Sequence, residues 1–290
     1  MRLEKNSPCK VNLILNILGR RPDGFHELET IMQPVNFCDE LTLVRGGHDI
    51  QLSCSNATLP VDGRNLVHRA ATKFLEMAGI SEGVKIRLEK KIPLAAGLGG
   101  GSGNAATTLL ALNELFGQVL SDAQLNEAAA SLGSDINFFL QSQPALATGR
   151  GEKVASLDTF AALAGHAFLL IHPGFGISTP WAYQNLGRFP AALNGVPGRA
   201  QRLAALLQGN DLKAAAGEFY NSLEAPALDK YPVLELFQEF LREQGALAVL
   251  MSGSGSTTFA IVRDVPTGEA LAEKFKGKFG ESNWTAVVAV

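Results

Sequence analysis

The chain has little of what marks secreted, membrane-spanning or nucleic-acid-binding proteins. It has 3 cysteines in 290 residues, an odd number without a C-x-x-C pair, which favours neither a disulfide framework nor a zinc site. Its apolar segment VNLILNIL is too short to cross a bilayer and lacks a small-residue cleavage pattern. The formal net charge of -3 argues against binding nucleic acid through phosphate neutralisation. We therefore expect a reduced, cytoplasmic protein with no targeting segment and no membrane partner.

The composition indicates a sizeable folded core. Hydrophobic residues make up 46% of the chain and charged residues 18%, a balance typical of globular proteins. The sequence shows no internal repeat and no low-complexity tract, and its length favours two domains over one. Composition changes around GRGEKVASLDTF, where we predict the boundary between an N-terminal domain, residues 1–152, and a C-terminal domain, residues 153–290.

Strands and helices are predicted from the spacing of apolar residues. In the first half, VNLILNIL, DELTLV, DIQLSC and VKIRLEKKIP are typical of strands, and the last alternates apolar with charged residues. The segments NLVHRAATKFLEMAG and SDAQLNEAAASLG are typical of helices that end at Gly79 and Gly133. In the second half we predict strands HAFLLIHPG, ALAVLMSG, TTFAIV and WTAVVAV, with helices RAQRLAALLQGN, YPVLELFQEFLREQG and TGEALAEKFKGKF. This alternation suits an α+β domain with one sheet.

The segment PLAAGLGGGSGNAATTLLALNELFG concentrates glycine between a strand that ends near Pro93 and a helix expected to open near Asn104. Glycine loses much backbone entropy on folding, so such a cluster needs a reason. A loop that opens a helix can bind an anion through unpaired N–H groups and the helix dipole. The alternative, a purely structural turn, needs only one or two glycines. The helix itself shows an apolar stripe before Gly117, formed by Ala105, Leu109, Leu112 and Phe116.

Two common phosphate-binding motifs do not fit this loop. A Walker loop ends in Gly-Lys-Ser or Gly-Lys-Thr, and the loop contains no lysine. The dinucleotide fingerprint needs glycine at i, i+2 and i+5. From Gly97 the last position is Ser102, and from Gly99 it is Asn104.

The glycine loop resembles the second motif of the GHMP kinase superfamily, which includes galactokinase, homoserine kinase and mevalonate kinase. Further segments follow the order of the branch that phosphorylates a cytidine-diphosphate-linked methylerythritol: PCKVNLILNILGRRPDGFHELETIMQPV, LGSDINFFL, ATGRGEKV, HPGFGISTPWAY and LMSGSGSTTFAIV. Together they cover Pro8 to Val262. The resemblance implies an α+β fold with a ribosomal-S5-like N-terminal domain and a ferredoxin-like C-terminal domain. It also implies ATP-dependent phosphorylation of the substrate's 2-hydroxyl, a step of isoprenoid precursor synthesis.

The resemblance places ATP with Mg²⁺ at the glycine loop. The implied ATP-binding residues are Pro93, Leu94, Ala95, Ala96, Gly97, Leu98, Gly99, Gly100, Gly101, Ser102 and Gly103, with Asn65 and Lys90 on the adenine side. No carboxylate cluster for the metal stands out, which leaves Ser102 as a candidate ligand. The chain departs from many relatives at Gly103-Asn104, where Ser-Asp or Ser-Asn is common, and at Asn137, where proline is common. Gly103 would remove one hydroxyl from the phosphate cradle.

The implied catalytic residues are Lys10 and Asp135. Lys10 and Asn12 point to one face of a predicted strand, opposite Val11, and spacing alone favours an ordinary solvated face. The resemblance instead assigns Lys10 to catalysis and Asn12 to the substrate. Asp135 follows a predicted helix, where an aspartate commonly caps the next helix. The resemblance makes it the base that accepts the hydroxyl proton.

The implied residues for the cytidine group are Phe25, His26 and Tyr183. Phe25 and His26 follow an Asp-Gly turn, and without the resemblance they would be a packing residue and a surface histidine. In the family the matching aromatic residue stacks on cytosine and the histidine hydrogen-bonds the base. Tyr183 matches an aromatic residue on the other ring face, with Trp181 as the alternative if the register is shifted. MSGSGSTTF is a second glycine-serine turn whose family counterpart closes over the site, and we expect it to support the site.

Two other functions remain open from the sequence. One is a small-molecule GHMP kinase of the homoserine or mevalonate type, disfavoured because Phe25, His26 and Tyr183 suit a pyrimidine. The other is a non-catalytic nucleotide-binding module, disfavoured because both Lys10 and Asp135 are present. The expected partner is a small cytidine-diphosphate-linked molecule and not nucleic acid. The sequence leaves open whether the protein is a monomer or a homodimer.

Overall fold

A computed structural model describes residues 2–290 of the chain. Its strands are β1 (Arg2–Arg20), β2 (His26–Arg45), β3 (Ile50–Cys54), β4 (Val84–Glu89), β5 (Ala145–Gly149), β6 (Lys153–Ser156), β7 (Ala167–His172), β8 (Tyr220–Asn221), β9 (Ala248–Met251), β10 (Thr258–Val262) and β11 (Trp284–Ala289). Its α-helices are α1 (Leu66–Ala78), α2 (Gly100–Leu115), α3 (Asp122–Leu132), α4 (Thr179–Asn185), α5 (Pro190–Leu193), α6 (Arg199–Gln208), α7 (Leu212–Ala215), α8 (Glu224–Lys230), α9 (Val233–Glu243) and α10 (Val265–Phe279). Short 3₁₀ turns occupy Asn137–Leu140, Ala161–Leu163 and Leu186–Arg188.

The chain divides into two compact units. The first consists of the residues up to Cys9, Phe37–Pro93 and Gly99–Ser142, and the second of Lys10–Asn36, Leu94–Leu98 and Gln143–Val290. The strands β1 and β2 therefore contribute residues to both units. The domain boundary after residue 152 stays a prediction. The segment that suggested it forms β6 and the turn before it, in a hairpin with β5.

The first unit contains a sheet in which β4 lies between β3 and β2. The strand β3 runs parallel to β4, with Ile50 opposite Val84, and β2 runs antiparallel to it. Alternate residues of β4 are buried, as its apolar–charged pattern predicts. The helix α1 begins at its N-cap Asn65 and ends at Gly79, whose φ of 65° is the left-handed geometry that glycine adopts readily. Its buried face packs against α2.

The helix α2 begins at Gly100, about one turn before the start expected near Asn104. Glycine in a helix costs about 1 kcal/mol relative to alanine, so the propensity of GGSG argues for a loop. Tertiary packing overrides that preference, because α2 is buried on nearly all sides instead of along one stripe. A β-carbon at Gly103 would lie 2.6 Å from the Pro8 carbonyl oxygen. Only glycine allows α2 to come this close to β1 inside the first unit.

The second unit contains the predicted single-sheet α+β arrangement. Its four-stranded sheet has the order β11-β7-β10-β9, and every neighbouring pair is antiparallel. Sequence order through β7, α9, β9, β10, α10 and β11 makes this a ferredoxin-like βαββαβ unit, which confirms the expected C-terminal architecture. Phe237, Phe240 and Phe275 of α9 and α10 belong to one buried core with the sheet residues.

Several short elements of the second unit were not predicted from the sequence: the helices α4, α5, α7 and α8, the hairpin β5–β6 and the strand β8. The hairpin β5–β6 adds to the edge of β2, with Leu28 opposite Gly149. The two-residue strand β8 runs parallel to β1, with Ile14 opposite Tyr220. Both consist of few residues and depend on distant partners, so local apolar periodicity carries little signal for them. In residues 2–290 the structure has no helix of the length and apolarity needed to cross a bilayer.

Candidate active site

The glycine-rich loop presents a run of unpaired backbone donors. The N–H groups from Ala95 to Ser102 donate to no acceptor within residues 2–290. Ala95, Gly97 and Gly99 have left-handed φ values of 52°, 77° and 69°. The first turn of α2 contains no acidic residue and has no side-chain cap, so its N-terminal partial charge is not neutralised there. Unpaired N–H groups and a helix N-terminus together favour an anion.

The residues predicted to bind ATP differ in exposure along this loop. Leu94, Ala95 and Gly101 are exposed, Pro93, Gly97, Gly99 and Ser102 are half-buried, and Ala96, Leu98, Gly100 and Gly103 are buried. Gly103 donates its N–H to the Gly99 carbonyl and faces Pro8, so it is part of the helix packing. A serine side chain at position 103 would meet the Pro8 carbonyl. The glycines therefore have two roles: some allow close packing of α2, and others leave backbone N–H groups accessible to a ligand.

Lys10 is buried and holds the loop from one side within the second unit. Its ammonium donates to Asn12 Oδ1 at 2.5 Å and to the Gly97 carbonyl oxygen at 2.8 Å. Asn12 in turn donates through Nδ2 to Thr30 Oγ1 at 2.8 Å. The relative exposures of Lys10 and Asn12 are 3% and 4%, so the alternative of a solvated strand face is wrong. This part of β1 is buried on both faces, which the spacing of its apolar residues did not indicate.

The hairpin Ser252–Thr257 between β9 and β10 contacts the same loop. Ser252 Oγ donates to the Gly97 carbonyl at 3.0 Å and accepts the Asn12 N–H at 3.3 Å. The Thr257 N–H donates to the Ala96 carbonyl at 3.1 Å. A β-carbon at Gly97 would lie 2.1 Å from the Ser252 carbonyl oxygen, so glycine is required at this contact. The second glycine-serine turn thus holds the loop, the supporting role expected of it.

Asp135 lies in the turn between α3 and the 3₁₀ turn that begins at Asn137. The residue that precedes that turn is Ile136, and no side chain caps it, so the capping alternative for Asp135 is wrong. The carboxylate of Asp135 is half-buried and forms no hydrogen bond or ion pair within residues 2–290. Both of its oxygens are therefore available to a ligand.

The two residues predicted on the adenine side have partners inside the first unit. Lys90 forms an ion pair with Asp39 and a 3.2 Å hydrogen bond to Asn104 Oδ1, with side-chain exposures of 5% for Lys90 and 0% for Asp39. Asn65 caps α1, because its Oδ1 accepts the Val67 N–H at 2.9 Å. Each residue thus has a structural role, and its contact with ATP stays a prediction.

The structure brings together two of the three residues predicted for the cytidine group. The rings of His26 and Tyr183 lie 5.1 Å apart between centroids, tilted by 37°. Trp181, the alternative to Tyr183, contacts Tyr231 and has the Lys230 ammonium 4.2 Å from its ring centroid. This arrangement favours Tyr183. Burial, reinforced by the charge of nearby Arg20, lowers the pKa of His26, so its imidazole is neutral at pH 7 and carries one donor and one acceptor.

Phe25 presents an exposed ring next to this pair in sequence. Its side chain is 54% exposed, and its N–H donates to Asp23 Oδ1 at 3.1 Å in the Asp-Gly turn. The Arg150 guanidinium lies 4.6 Å from the Phe25 ring centroid. A large exposed aromatic ring on a short fixed turn is suited to stacking with a planar ligand.

Several residues of the site were not identified from the sequence. Thr30, Asp39, Arg150 and Asn104 each contact a predicted residue that lies between 14 and 125 positions away in the sequence. Lys90 and Asp39, for example, are 51 positions apart. Such pairs leave no local spacing pattern. Within residues 2–290 no group of three or more His, Cys, Asp or Glu side chains is arranged to hold a metal ion.

Comparison with known proteins agrees with this geometry. Residues 65–143 match the family described as GHMP kinases N terminal domain, and residues 190–281 match GHMP kinases C terminal. The 4-diphosphocytidyl-2-C-methyl-D-erythritol kinase of Syntrophotalea carbinolica is 38% identical over 275 residues, 94% of each chain.

Solved structures show the same likeness. A crystal structure of 4-(cytidine 5'-diphospho)-2C-methyl-D-erythritol kinase, 33% identical, superposes with a TM-score of 0.82 over 99% of this chain and 100% of that one. Homoserine kinase from Cytophaga hutchinsonii, 21% identical, has a TM-score of 0.79 over 100% and 95% of the two chains, a likeness of fold. This chain belongs to the GHMP kinases and, within them, to the 4-diphosphocytidyl-2-C-methyl-D-erythritol kinase family.

Proposed function

We propose that this enzyme transfers the γ-phosphoryl group of ATP to the 2-hydroxyl of 4-diphosphocytidyl-2-C-methyl-D-erythritol, a step of isoprenoid precursor synthesis. The observation that carries the proposal is the whole-chain likeness to kinases named for that substrate, at 38% identity for one relative. The 21% identity to a homoserine kinase supports only the shared fold.

The glycine-rich loop is the proposed phosphate site. Its unpaired N–H groups from Ala95 to Ser102 would donate to phosphate oxygens, and the N-terminus of α2 would add favourable potential. Mg²⁺ takes six oxygen ligands, many of them from phosphate and water. The half-buried Ser102 hydroxyl is the one side-chain oxygen in the first turn of α2, so it fits as a protein ligand. The bound ion would neutralise charge on the phosphates.

Lys10 and Asp135 are the proposed catalytic residues. Phosphoryl transfer depends mostly on alignment and charge stabilisation, and a positioned carboxylate accepts the hydroxyl proton as the new P–O bond forms. Asp135 has both carboxylate oxygens available for that proton. The Lys10 ammonium would stabilise negative charge on the transferred group, held in place by Asn12 and the Gly97 carbonyl.

Phe25, His26 and Tyr183 are the proposed recognition site for the cytosine ring. Stacking on an aromatic side chain contributes about 1–3 kcal/mol per base. Phe25 offers an exposed ring for it, and the neutral His26 imidazole offers one donor or acceptor to the base. A homoserine or mevalonate substrate has no planar ring for these three side chains to contact.

An acceptor panel tests this function. Purified protein with Mg²⁺ and ATP is given the cytidyl substrate, homoserine or mevalonate, and ADP release is followed together with phosphorus NMR of the product. We expect ADP and a new phosphomonoester only with the cytidyl substrate. Phosphorylation of homoserine or mevalonate instead would assign the chain to another activity. ATP binding without turnover of any acceptor would support a non-catalytic module.

A further inference from the structure

The segment Tyr220–Glu224, sequence YNSLE, is fastened to the strand that carries Lys10. Its strand β8 pairs in parallel with β1. The contact continues at Ser222, whose N–H donates to the Leu15 carbonyl at 2.8 Å and whose Oγ accepts the Ile17 N–H at 2.9 Å. This buried segment contains none of the proposed catalytic or substrate-binding residues, and hydrogen bonds to the backbone of β1 fix its position relative to that strand.

The same segment also holds the beginning of the hairpin Ser252–Thr257. Asn221 Nδ2 donates to the carbonyl oxygens of Met251 and Gly253, at 2.7 Å each. Glu224 Oε1 accepts the Met251 N–H at 2.8 Å. Both backbone polar groups of Met251, the last residue of β9, are therefore bound by side chains of one short segment. Asn221 is 2% exposed, so water does not replace these bonds.

The hairpin in turn borders the Lys10 ammonium closely. A β-carbon at Gly253 would lie 3.2 Å from Lys10 Nζ and 3.3 Å from Asn12 Oδ1. Ser252 Oγ is hydrogen-bonded to both Asn12 and Gly97. A displacement of the hairpin would therefore move the groups that orient Lys10.

We propose that Asn221 and Glu224 are positioning residues for phosphoryl transfer: they fix the glycine-serine hairpin against the strand of Lys10 and Asn12. This inference rests on the proposed kinase function. Misplacement of a reacting group by about 1 Å can cost on the order of 100-fold in rate. The two residues act through Met251 and Gly253, and they touch neither substrate in this role.

Glu224 allows a conservative variant that separates charge from hydrogen bonding. Its Oε1 is the acceptor for Met251, and it also accepts a hydrogen bond from Gln238 Nε2 at 2.6 Å. Glu224→Gln retains an acceptor oxygen at similar size, whereas Glu224→Leu leaves the Met251 N–H buried without a partner. We expect wild-type kcat from Glu224→Gln and a fall of about 10-fold or more from Glu224→Leu.

Asn221→Ala is the direct test, with Asn113→Ala as its matched control. Asn113 is likewise buried, and its side chain donates to the Leu120 carbonyl and accepts the Leu120 N–H. It lies at the end of α2 that is far from the glycine loop. We expect kcat and kcat/KM of Asn221→Ala to fall together by about 10- to 100-fold with KM unchanged. Asn113→Ala should keep wild-type kcat although it loses stability. Wild-type kcat in folded Asn221→Ala would overturn the inference.

Hydrogen exchange gives a readout that does not depend on turnover. The Ser252 N–H bonds to the Thr257 carbonyl and the Thr257 N–H to Ala96, so both should exchange faster in Asn221→Ala and not in Asn113→Ala. If the wild-type protein phosphorylates no acceptor, the proposed function is wrong. Hydrogen exchange then still tests whether Asn221 fixes the hairpin Ser252–Thr257. If Asn221→Ala does not fold, equal kcat in Glu224→Gln and Glu224→Leu would overturn the inference.

Discussion

At the scale of single residues, the ammonium of Lys10 shows how burial and function can coincide. Two of its acceptors, Asn12 Oδ1 and the Gly97 carbonyl, are uncharged. They orient the cation, and neither of them neutralises its charge. An ammonium attracts a phosphate anion more strongly in a buried site than in water. Asp135 shows the complementary case, because its carboxylate has no protein partner within residues 2–290.

Asp135→Asn should reduce kcat by about 100- to 10,000-fold, the usual contribution of a general base. ATP affinity should change little, because the substitution keeps the size of the side chain and removes only its charge and basicity. Single-turnover kinetics and calorimetric titration with ATP measure the two quantities. Asp122→Asn, at the exposed start of α3, is the control and should keep wild-type kcat. An Asp135→Asn enzyme within a few-fold of wild type would show that another group accepts the proton.

Phe25→Ala should raise KM for the cytidyl substrate by about 5- to 150-fold, the equivalent of about 1–3 kcal/mol of stacking. KM for ATP should stay near its wild-type value. The loss of stability should be small because the ring is 54% exposed. Leu236→Ala, which truncates a side chain of similar exposure, 53%, on α9, is the control for both constants. An equal rise in both KM values of Phe25→Ala would argue against stacking on cytosine.

At the scale of elements, a buried carboxylate joins the two segments that flank the glycine loop. Asp39 on β2 accepts the N–H groups of Lys91 and Ile92, just before the loop, at 2.7 and 2.9 Å. It also accepts a hydrogen bond of 2.9 Å from Nδ2 of Asn104, which lies in the second turn of α2. In addition, it forms the ion pair with Lys90. One side chain thus fixes the segment before the loop relative to the helix after it, within the first unit.

Lys90→Met should lower the free energy of unfolding by about 3–5 kcal/mol, because it leaves the buried Asp39 carboxylate without its counter-ion. Lys91→Met is the matched control: the Lys91–Glu40 pair has side-chain exposures of 45% and 53%, so its loss should leave the free energy of unfolding nearly unchanged. Urea unfolding monitored by circular dichroism measures both. Similar stabilities for the two variants, with weaker ATP binding only in Lys90→Met, would favour the predicted nucleotide contact for Lys90 over the structural one.

Elements with strong local signals were predictable from sequence, and those that depend on distant partners were not. The pattern of β4 and the Gly79 stop of α1 are local, and both are confirmed. The start of α2 was misplaced because local glycine content favours a loop, whereas burial and the contact of Gly103 with Pro8 favour a helix. No window of sequence contains both Gly103 and Pro8.

The same limit applies to the site. Lys10, Asn12 and the glycine loop were singled out together only through family resemblance, since spacing favoured a solvated face for the strand. The contact of Asn221 with the hairpin was not predicted, because its acceptors Met251 and Gly253 lie 30 and 32 positions away in the sequence. Asn221 also belongs to a strand of only two residues. In the sequence, an asparagine that binds two backbone carbonyls cannot be distinguished from an asparagine in an ordinary turn.

At the scale of the whole molecule, the two compact units hold different parts of the proposed chemistry. The unpaired N–H groups of the first turn of α2 and Asp135 belong to the first unit. Lys10, the hairpin Ser252–Thr257 and the cytidine-site residues belong to the second. The chain passes from one unit to the other within β1, within β2, at the glycine loop and again after Ser142, so each unit is built from discontinuous segments.

Global stability should fall as the pH drops below about 6.5, in part through His172. This residue at the end of β7 is 6% exposed, with Nδ1 3.3 Å from Ser256 Oγ, and burial lowers its pKa in the folded protein. Below the ordinary histidine value the unfolded chain binds the proton and the folded protein resists it, so protonation favours unfolding. The stability is complete above that value and decreases as pH falls toward the folded pKa, by up to about 1.4 kcal/mol per pH unit for one group.

His172→Gln should therefore flatten the dependence of the free energy of unfolding on pH between about pH 7.5 and 5.5, the range in which an unfolded histidine titrates. Urea unfolding at several pH values gives the slope for each protein. His48→Gln, in the exposed turn between β2 and β3, is the control for the loss of an imidazole from the chain. If wild type and His172→Gln have the same slope, the buried imidazole does not resist protonation, and carboxyl groups would have to account for the loss of stability in acid.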